Sequence, residues 1–418
     1  MAGFIDILRS GSWLTRERVR LVAIVLLAAF AIGAAFLITT SNGLNDRFGR
    51  PLGTDFSNVY AAGTYVLGGE PTAPFDPAKQ FAREQAIFGQ ATQFYGWHYP
   101  PFFLALAGLL ATMPYWLSLV VWQGVTLGLC LLAIRAIVFS SPSPAGGGIE
   151  NLWLLLALAF PAVFINLGQA HNGFLTAALA GAALVMLVER PILAGVLIGC
   201  LAYKPQFGLL IPLVLIASGR WRTFAAAAAT VAAMTLAVTL AFGLDVWSAF
   251  FATGKFTRTV VLEQGGTGWY KIQSIFSWVR MWGGSVALAY AVQGAVTLAV
   301  AAMLAWLWRS PAAFPLKAAG LLIGSLLATP YSLDYDLMLL APAIAYLVLD
   351  GFTRGFGVYE KTVLAALWIM PLIARSIPRA TLIPLAVPIM LLAFALLLRR
   401  AMNETGVLQA GGVLRRVP

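Results

Sequence analysis

Long apolar stretches alternate along this chain with short polar breaks, and the spacing of the breaks predicts the architecture. A helix rises about 1.5 Å per residue and needs roughly 20 apolar residues to cross a hydrocarbon layer, although helices inside a bundle can be shorter. By that measure the stretches 21–40, 115–138, 151–167, 172–188, 191–203, 205–218, 223–242, 285–308, 318–330, 335–349, 362–374 and 382–398 read as transmembrane helices, about twelve in all. One further stretch near 100–113 opens with Pro100-Pro101 and closes at Pro114. At about thirteen residues it is too short to span, which predicts a re-entrant or interfacial segment.

Charge placement sets the orientation. With the 100–113 segment counted as non-spanning, Arg9, Arg16, Arg18, Arg20, Arg135, Arg190, Arg220, Arg222, Arg309, Lys317, Arg354, Lys361, Arg399, Arg400, Arg415 and Arg416 all fall on the cytoplasmic side. The positive-inside rule favours that arrangement over its inverse, and both termini are then cytoplasmic. The polar breaks at 41–99, 168–172, 204–206, 243–284 and 329–336 consequently share the outer face.

Composition narrows the class. The chain of 418 residues is 60% hydrophobic and 10% charged, too apolar for a water-soluble fold. Backbone groups in lipid must be paired internally, and Gly- and Ala-rich runs without period-two alternation exclude an outer-membrane barrel, leaving an all-α polytopic membrane protein. The formal charge of +11 is scattered over helix ends. With no basic block interleaved with aromatics, nucleic acid is excluded as a partner, and membrane lipids are the expected surroundings. Cys130 and Cys200 lie in apolar stretches as small hydrophobes. The His, Cys and acidic residues show no metal-ligand spacing, so neither a metal site nor a cofactor is expected. The first apolar stretch follows Arg16, Arg18 and Arg20 and has no small-residue cleavage site, so it reads as a retained helix. In the absence of internal repeats, residues 1–400 are expected to form a single membrane domain, with outer loops 41–114 and 243–284. Residues 401–418 are expected to be a disordered cytoplasmic tail.

The outer breaks carry the candidate chemistry. Asp55, in Thr54-Asp55-Phe56-Ser57-Asn58-Val59-Tyr60, lies in an aromatic- and Gly-rich loop. Held there, its carboxyl would have a raised pKa and could serve as a general base near neutral pH; its competing role is an ordinary helix N-cap. Lys204 stands at the turn between two apolar legs, where a cation either serves an anion such as phosphate or snorkels to the interface. Arg258 and Lys271 belong to a loop whose composition suits a cap over an anionic substrate. Gln169, His171 and Asn172 at one break, and Asp334, Tyr335 and Asp336 at another, offer the donors and acceptors that sugar hydroxyls need. Each could equally do no more than close a turn. His98, before Tyr99-Pro100-Pro101, is a further polar candidate.

Taken in order, Asp55-Phe56…Tyr60, Tyr99-Pro100-Pro101, Gly168-Gln169…Asn172-Gly173, Tyr203-Lys204-Pro205-Gln206, Gly219-Arg220-Trp221-Arg222 and Thr329-Pro330-Tyr331…Asp334-Tyr335-Asp336 resemble glycosyltransferase family 87. The resemblance covers about residues 20–350. It implies a GT-C-like bundle with a large first extracytoplasmic loop. It also implies an inverting transferase that moves a sugar, typically mannose, from a polyprenyl phosphate carrier to a glycan or glycolipid acceptor on the extracytoplasmic side of a bacterial plasma membrane. Asp55 then matches the acidic residue that deprotonates the acceptor, Lys204, Arg258 and Lys271 face the carrier phosphate, and Tyr60 joins the sugar- and acceptor-binding group. Two other readings compete: a transporter or flippase of a lipid-linked sugar, which would predict repeat symmetry, and a scaffold subunit, which would make Asp55 dispensable.

Overall fold

The computed structural model describes residues 2–140 and 152–406. These residues fold into helices joined by turns, and the only extended pairings among them are three isolated β-bridges. Among the described residues, six helices are long and apolar enough to cross a membrane: Arg16–Thr39, Tyr115–Val138, Trp221–Phe242, Val286–Arg309, Asp334–Arg354 and Ala386–Glu404. The protein is therefore an all-α integral membrane protein.

The other stretches expected to span are shorter or broken, and proline is the main cause. Trp153–Ala159 and Pro161–Gln169 are separated at Phe160, whose backbone is extended. Proline disfavours the helical conformation of the residue before it and has no N–H to donate. The expected 205–218 leg is likewise two helices, Pro205–Gly208 and Ile211–Ala217, with Pro212, which has no N–H to donate, at the start of the second.

Phe102–Ala111, the segment expected to be re-entrant or interfacial, has 10 residues and so extends only about 15 Å. It lies against Phe56–Leu67 with the two backbones in contact. A Cβ on Gly63 would come within 2.1 Å of the Ala107 carbonyl oxygen, so only glycine permits this approach.

Burial sorts the helices into core and lipid-facing sets. Phe314–Leu327 is nearly all buried, at the centre of a cluster that takes in Leu304, Leu340, Tyr346, Leu367 and Phe394. By contrast, only 6% of the apolar window of Trp221–Phe242 is buried and only 11% of that of Arg16–Thr39. Apolar helices that turn this much surface outward need lipid as solvent.

Two smaller apolar clusters cap one end of the bundle. One gathers Phe56, Phe75, Trp97, Tyr99, Phe103, Trp122 and Tyr203; the other gathers Leu262, Ile272, Phe276, Leu333 and Tyr335. The opposite end is closed by ion pairs. Arg400 lies 2.7 Å from both Asp350 and Glu360, and Arg354 pairs with Asp350 and with Glu404. The last helix continues to Glu404, past the expected start of the tail at 401. Residues 407–418, which hold most of that tail, lie outside the described residues.

Candidate functional site

Residues of the two smaller apolar clusters border a cavity of about 570 Å³, within the range of small-ligand sites. Its lining includes Asp55, the irregular run from Gln93 to Pro100, Gln169, His171, Lys204, Lys271, Thr329 to Tyr331, Tyr335, Asp336 and Arg375. Breaks far apart in the chain thus converge on one space.

Asp55 is aimed there by the turn that precedes it. Gly53 has φ +67°, and a Cβ on it would collide with Leu119 and Ala170. Only glycine lets this turn press against the Tyr115–Val138 helix. The Asp55 N–H donates to the Gln169 carbonyl at 3.0 Å, which ties the acid to the second polar break. Asp55 occupies the position before helix Phe56–Leu67, yet its side chain makes no capping hydrogen bond. Its carboxylate has no hydrogen-bond or ion-pair partner among the described residues. Burial raises its pKa to about 6, against the opposing pull of Arg375, Lys271 and Lys204, while Asp334 adds to the rise. A carboxylate in that state is ionised at neutral pH and still basic enough to receive a proton.

The wall opposite is a loop held by a buried carboxylate. Glu84, on helix Pro77–Phe88, accepts hydrogen bonds from the backbone N–H groups of Tyr95 and Gly96, each at 3.0 Å, and from Gln80 at 3.2 Å. Burial pushes its pKa up to about 7. At the end of the loop His98 makes a 2.9 Å hydrogen bond with Thr257, and burial lowers its pKa to about 4, so it is neutral. His171 contributes less to the cavity surface: Nε2 is 2.9 Å from the Tyr99 hydroxyl, and its ring stacks on Tyr335 at 3.5 Å.

The charged candidates are committed differently from what their sequence positions suggest. Lys204 does not present a free cation, because its Nζ lies 2.5 Å from Asp336, both side chains are at most 5% exposed, and the Tyr335 ring sits 5.0 Å away. Asp336 also accepts from the Leu333 N–H at 2.9 Å. Asp334 is engaged as well, by Arg375. Both acids therefore serve a cation within the fold; Asp336 remains on the cavity lining, and Asp334 does not. Arg258 lines the rim, 64% exposed and 3.4 Å from Glu263. Lys271 has no carboxylate partner among the described residues; its Nζ lies 5.9 Å from the Tyr270 ring.

Three expected residues stand apart from the cavity lining: Asp334, held by Arg375, and Tyr60 and Asn172. The Tyr60 hydroxyl donates to the Met113 carbonyl at 2.9 Å and its ring packs edge-on against Tyr115, so it fastens the loop. Asn172 is buried behind the wall, where its carbonyl accepts from Thr176 and Tyr203.

Sequence reasoning missed Glu84, Arg375 and Asn166. Asn166 bridges three segments, donating to the carbonyls of Ala162 and Tyr335 and accepting from the Gly173 N–H. Arg375 did carry a signal. With Arg379 it forms a basic pair at a predicted outer turn, against the positive-inside rule.

Residues 97–330, over half of the chain, match the model of glycosyltransferase family 87. The chain belongs to glycosyltransferase family 87. No curated protein and no solved structure matches it. As a family 87 member with six membrane-length apolar helices among its described residues, the protein is a membrane glycosyltransferase that uses a sugar donor and an acceptor. The matched region supplies the Trp97 to Pro100 wall, Gln169, Lys204 and Lys271. Asp55 precedes it; Asp334, Asp336 and Arg375 follow it.

Proposed function

We propose that this glycosyltransferase transfers mannose from a polyprenyl phosphate carrier to a glycan or glycolipid acceptor, with inversion at the anomeric carbon and Asp55 as the general base. An acceptor hydroxyl oxygen attacks the anomeric carbon while its proton passes to the Asp55 carboxylate. The bond from that carbon to the phosphate oxygen breaks, and the carrier leaves as polyprenyl phosphate carrying the electron pair. The observation that carries the reading is the state of Asp55: an unpartnered carboxylate with a pKa near 6, facing a cavity that also holds the cations an anionic leaving group needs.

The scattered cytoplasmic-type charges of the sequence support a cavity open to the extracytoplasmic face of a bacterial plasma membrane, with both termini inside. Gln169 and the neutral His98, both on the lining, suit sugar hydroxyls because they combine donor and acceptor atoms. Purified protein in detergent, given polyprenyl phosphate mannose and a panel of glycan and glycolipid acceptors, should form a glycoside of inverted configuration. Transfer from a nucleotide sugar but not from the lipid-linked donor would refute the donor assignment.

A further inference from the structure

Four cations line the cavity: Lys204, Arg258, Lys271 and Arg375. They differ in what their charge is already doing. Lys204 is buried on Asp336, and drawing it toward another anion would strand that carboxylate. Arg258 lies on the exposed rim beside Glu263, where solvent screens it.

Arg375 is poised differently. Its side chain is 41% exposed while its partner Asp334 is 1% exposed. Asp334 occupies the Nε and Nη2 edge of the guanidinium, and Nη1 has no partner among the described residues. A guanidinium held on one edge by a buried carboxylate is oriented before any ligand arrives. Lys271 is the complement: partly exposed and without a carboxylate.

The fold straps these two cations together. Arg379, on the same short helix as Arg375's neighbours, Ser376–Thr381, donates to the Tyr270 hydroxyl at 2.7 Å and lies 4.2 Å over that ring. Tyr270 precedes Lys271 in the chain. Gln273 donates to the Ala374 carbonyl at 2.7 Å, and its N–H donates to Ser332 at 2.7 Å. Segments 269–273, 332–334 and 374–379 therefore form one rim of the cavity.

We propose that Lys271 and Arg375 are the phosphate-binding pair of this site, with Asp334 as the residue that positions Arg375. The inference rests on the lipid-phosphate donor reading and assigns a role to a segment beyond the family-matched region. In chemical terms the pair takes a phosphate monoester or diester, the guanidinium through directed hydrogen bonds and the ammonium as a point charge.

The test compares binding of polyprenyl monophosphate with that of the matched polyprenol by the full-length protein in nanodiscs. Wild type should bind the monophosphate more tightly. Lys271→Met and Arg375→Lys should each erase about tenfold or more of that difference, the loss of one charge-assisted contact. Arg258→Met should change it by less than about twofold, as an exposed rim charge would. Lys271 has no partner to strand, so its variant carries the test even if Arg375→Lys fails to fold. If wild type binds the two lipids alike, the donor reading falls and this assignment with it. If wild type discriminates and Lys271→Met keeps that discrimination, the donor reading stands and the assignment is overturned.

Discussion

The two ends of the bundle are both rich in buried charge, and they use it in opposite ways. At the end away from the cavity, Arg354 and Arg400 are shared among Asp350, Glu360 and Glu404, and the void that Asp350, Glu360 and Arg400 line is only about 30 Å³. At the cavity end, Lys204 is paired with Asp336 and Arg375 with Asp334, yet Asp55, Lys271 and one edge of Arg375 remain open to about 570 Å³ of space. Buried charge by itself does not mark a site. What distinguishes one is unsatisfied bonding capacity facing room for a ligand, and pairs such as Lys204 with Asp336 frame that capacity.

The largest expected effect tests this distinction directly. Asp55→Asn should lower transfer by about a thousandfold, in the middle of the range for a general base. Its thermal stability should be kept or raised at neutral pH, because the carboxylate supports no native contact and burial penalises its charged form. Activity assays and melting curves on the same preparation would separate the two, and a large loss of stability would make Asp55 a structural residue.

Arg400→Met should give the mirror image. Removing a partner of buried Asp350 should cost about 3 kcal/mol, at the lower end for a broken buried pair because Arg354 remains. The protein that still folds should turn over at the wild-type rate. A fall in kcat without a fall in melting temperature would erase the contrast between the ends.

A pH profile sharpens the cavity side. Asp55 must be ionised to accept a proton, so the transfer rate should climb about tenfold per unit as pH rises toward 6, then level off above it. An acid limb centred near the ordinary aspartate value would show that burial does not act on the working base.

Glu84 should give the smallest effect. Its pKa in the folded chain, about 7, lies above the ordinary glutamate value of 4.5, so the folded state holds the proton more tightly. The contribution of this group therefore favours folding most below about 4.5 and declines as pH rises to about 7. Glu84→Gln removes that dependence and exchanges one acceptor for a donor facing the Tyr95 N–H. The loop should lose about 1–2 kcal/mol of local stability, read as faster hydrogen exchange at Tyr95 and Gly96. Unchanged exchange at both amides would remove Glu84 from its positioning role.

Periodicity and length were enough to identify the apolar helices, since lipid leaves a chain no other way to pair its backbone. The six longest follow from composition alone, and Pro100, Pro101 and Pro114 mark the short segment that packs on Phe56–Leu67. The shared end of the polar breaks is also legible, because helices that cross and return must alternate their ends. Asp55 was readable as a candidate for that reason, with N-cap and base left open.

Pairing was not legible. Lys204 looks like a free cation until Asp336, 132 residues away, is 2.5 Å from it, and Asp334 looks like a sugar ligand until Arg375 covers it. An ion pair depends on which ends of helices meet in space, and hydrophobic spacing carries no record of that. The sequence by itself therefore determined an apolar helical bundle with its candidate polar breaks collected at one end. Only the tertiary structure decided which of those residues are spent on one another and which, Asp55 and Lys271 foremost, are left open to a substrate.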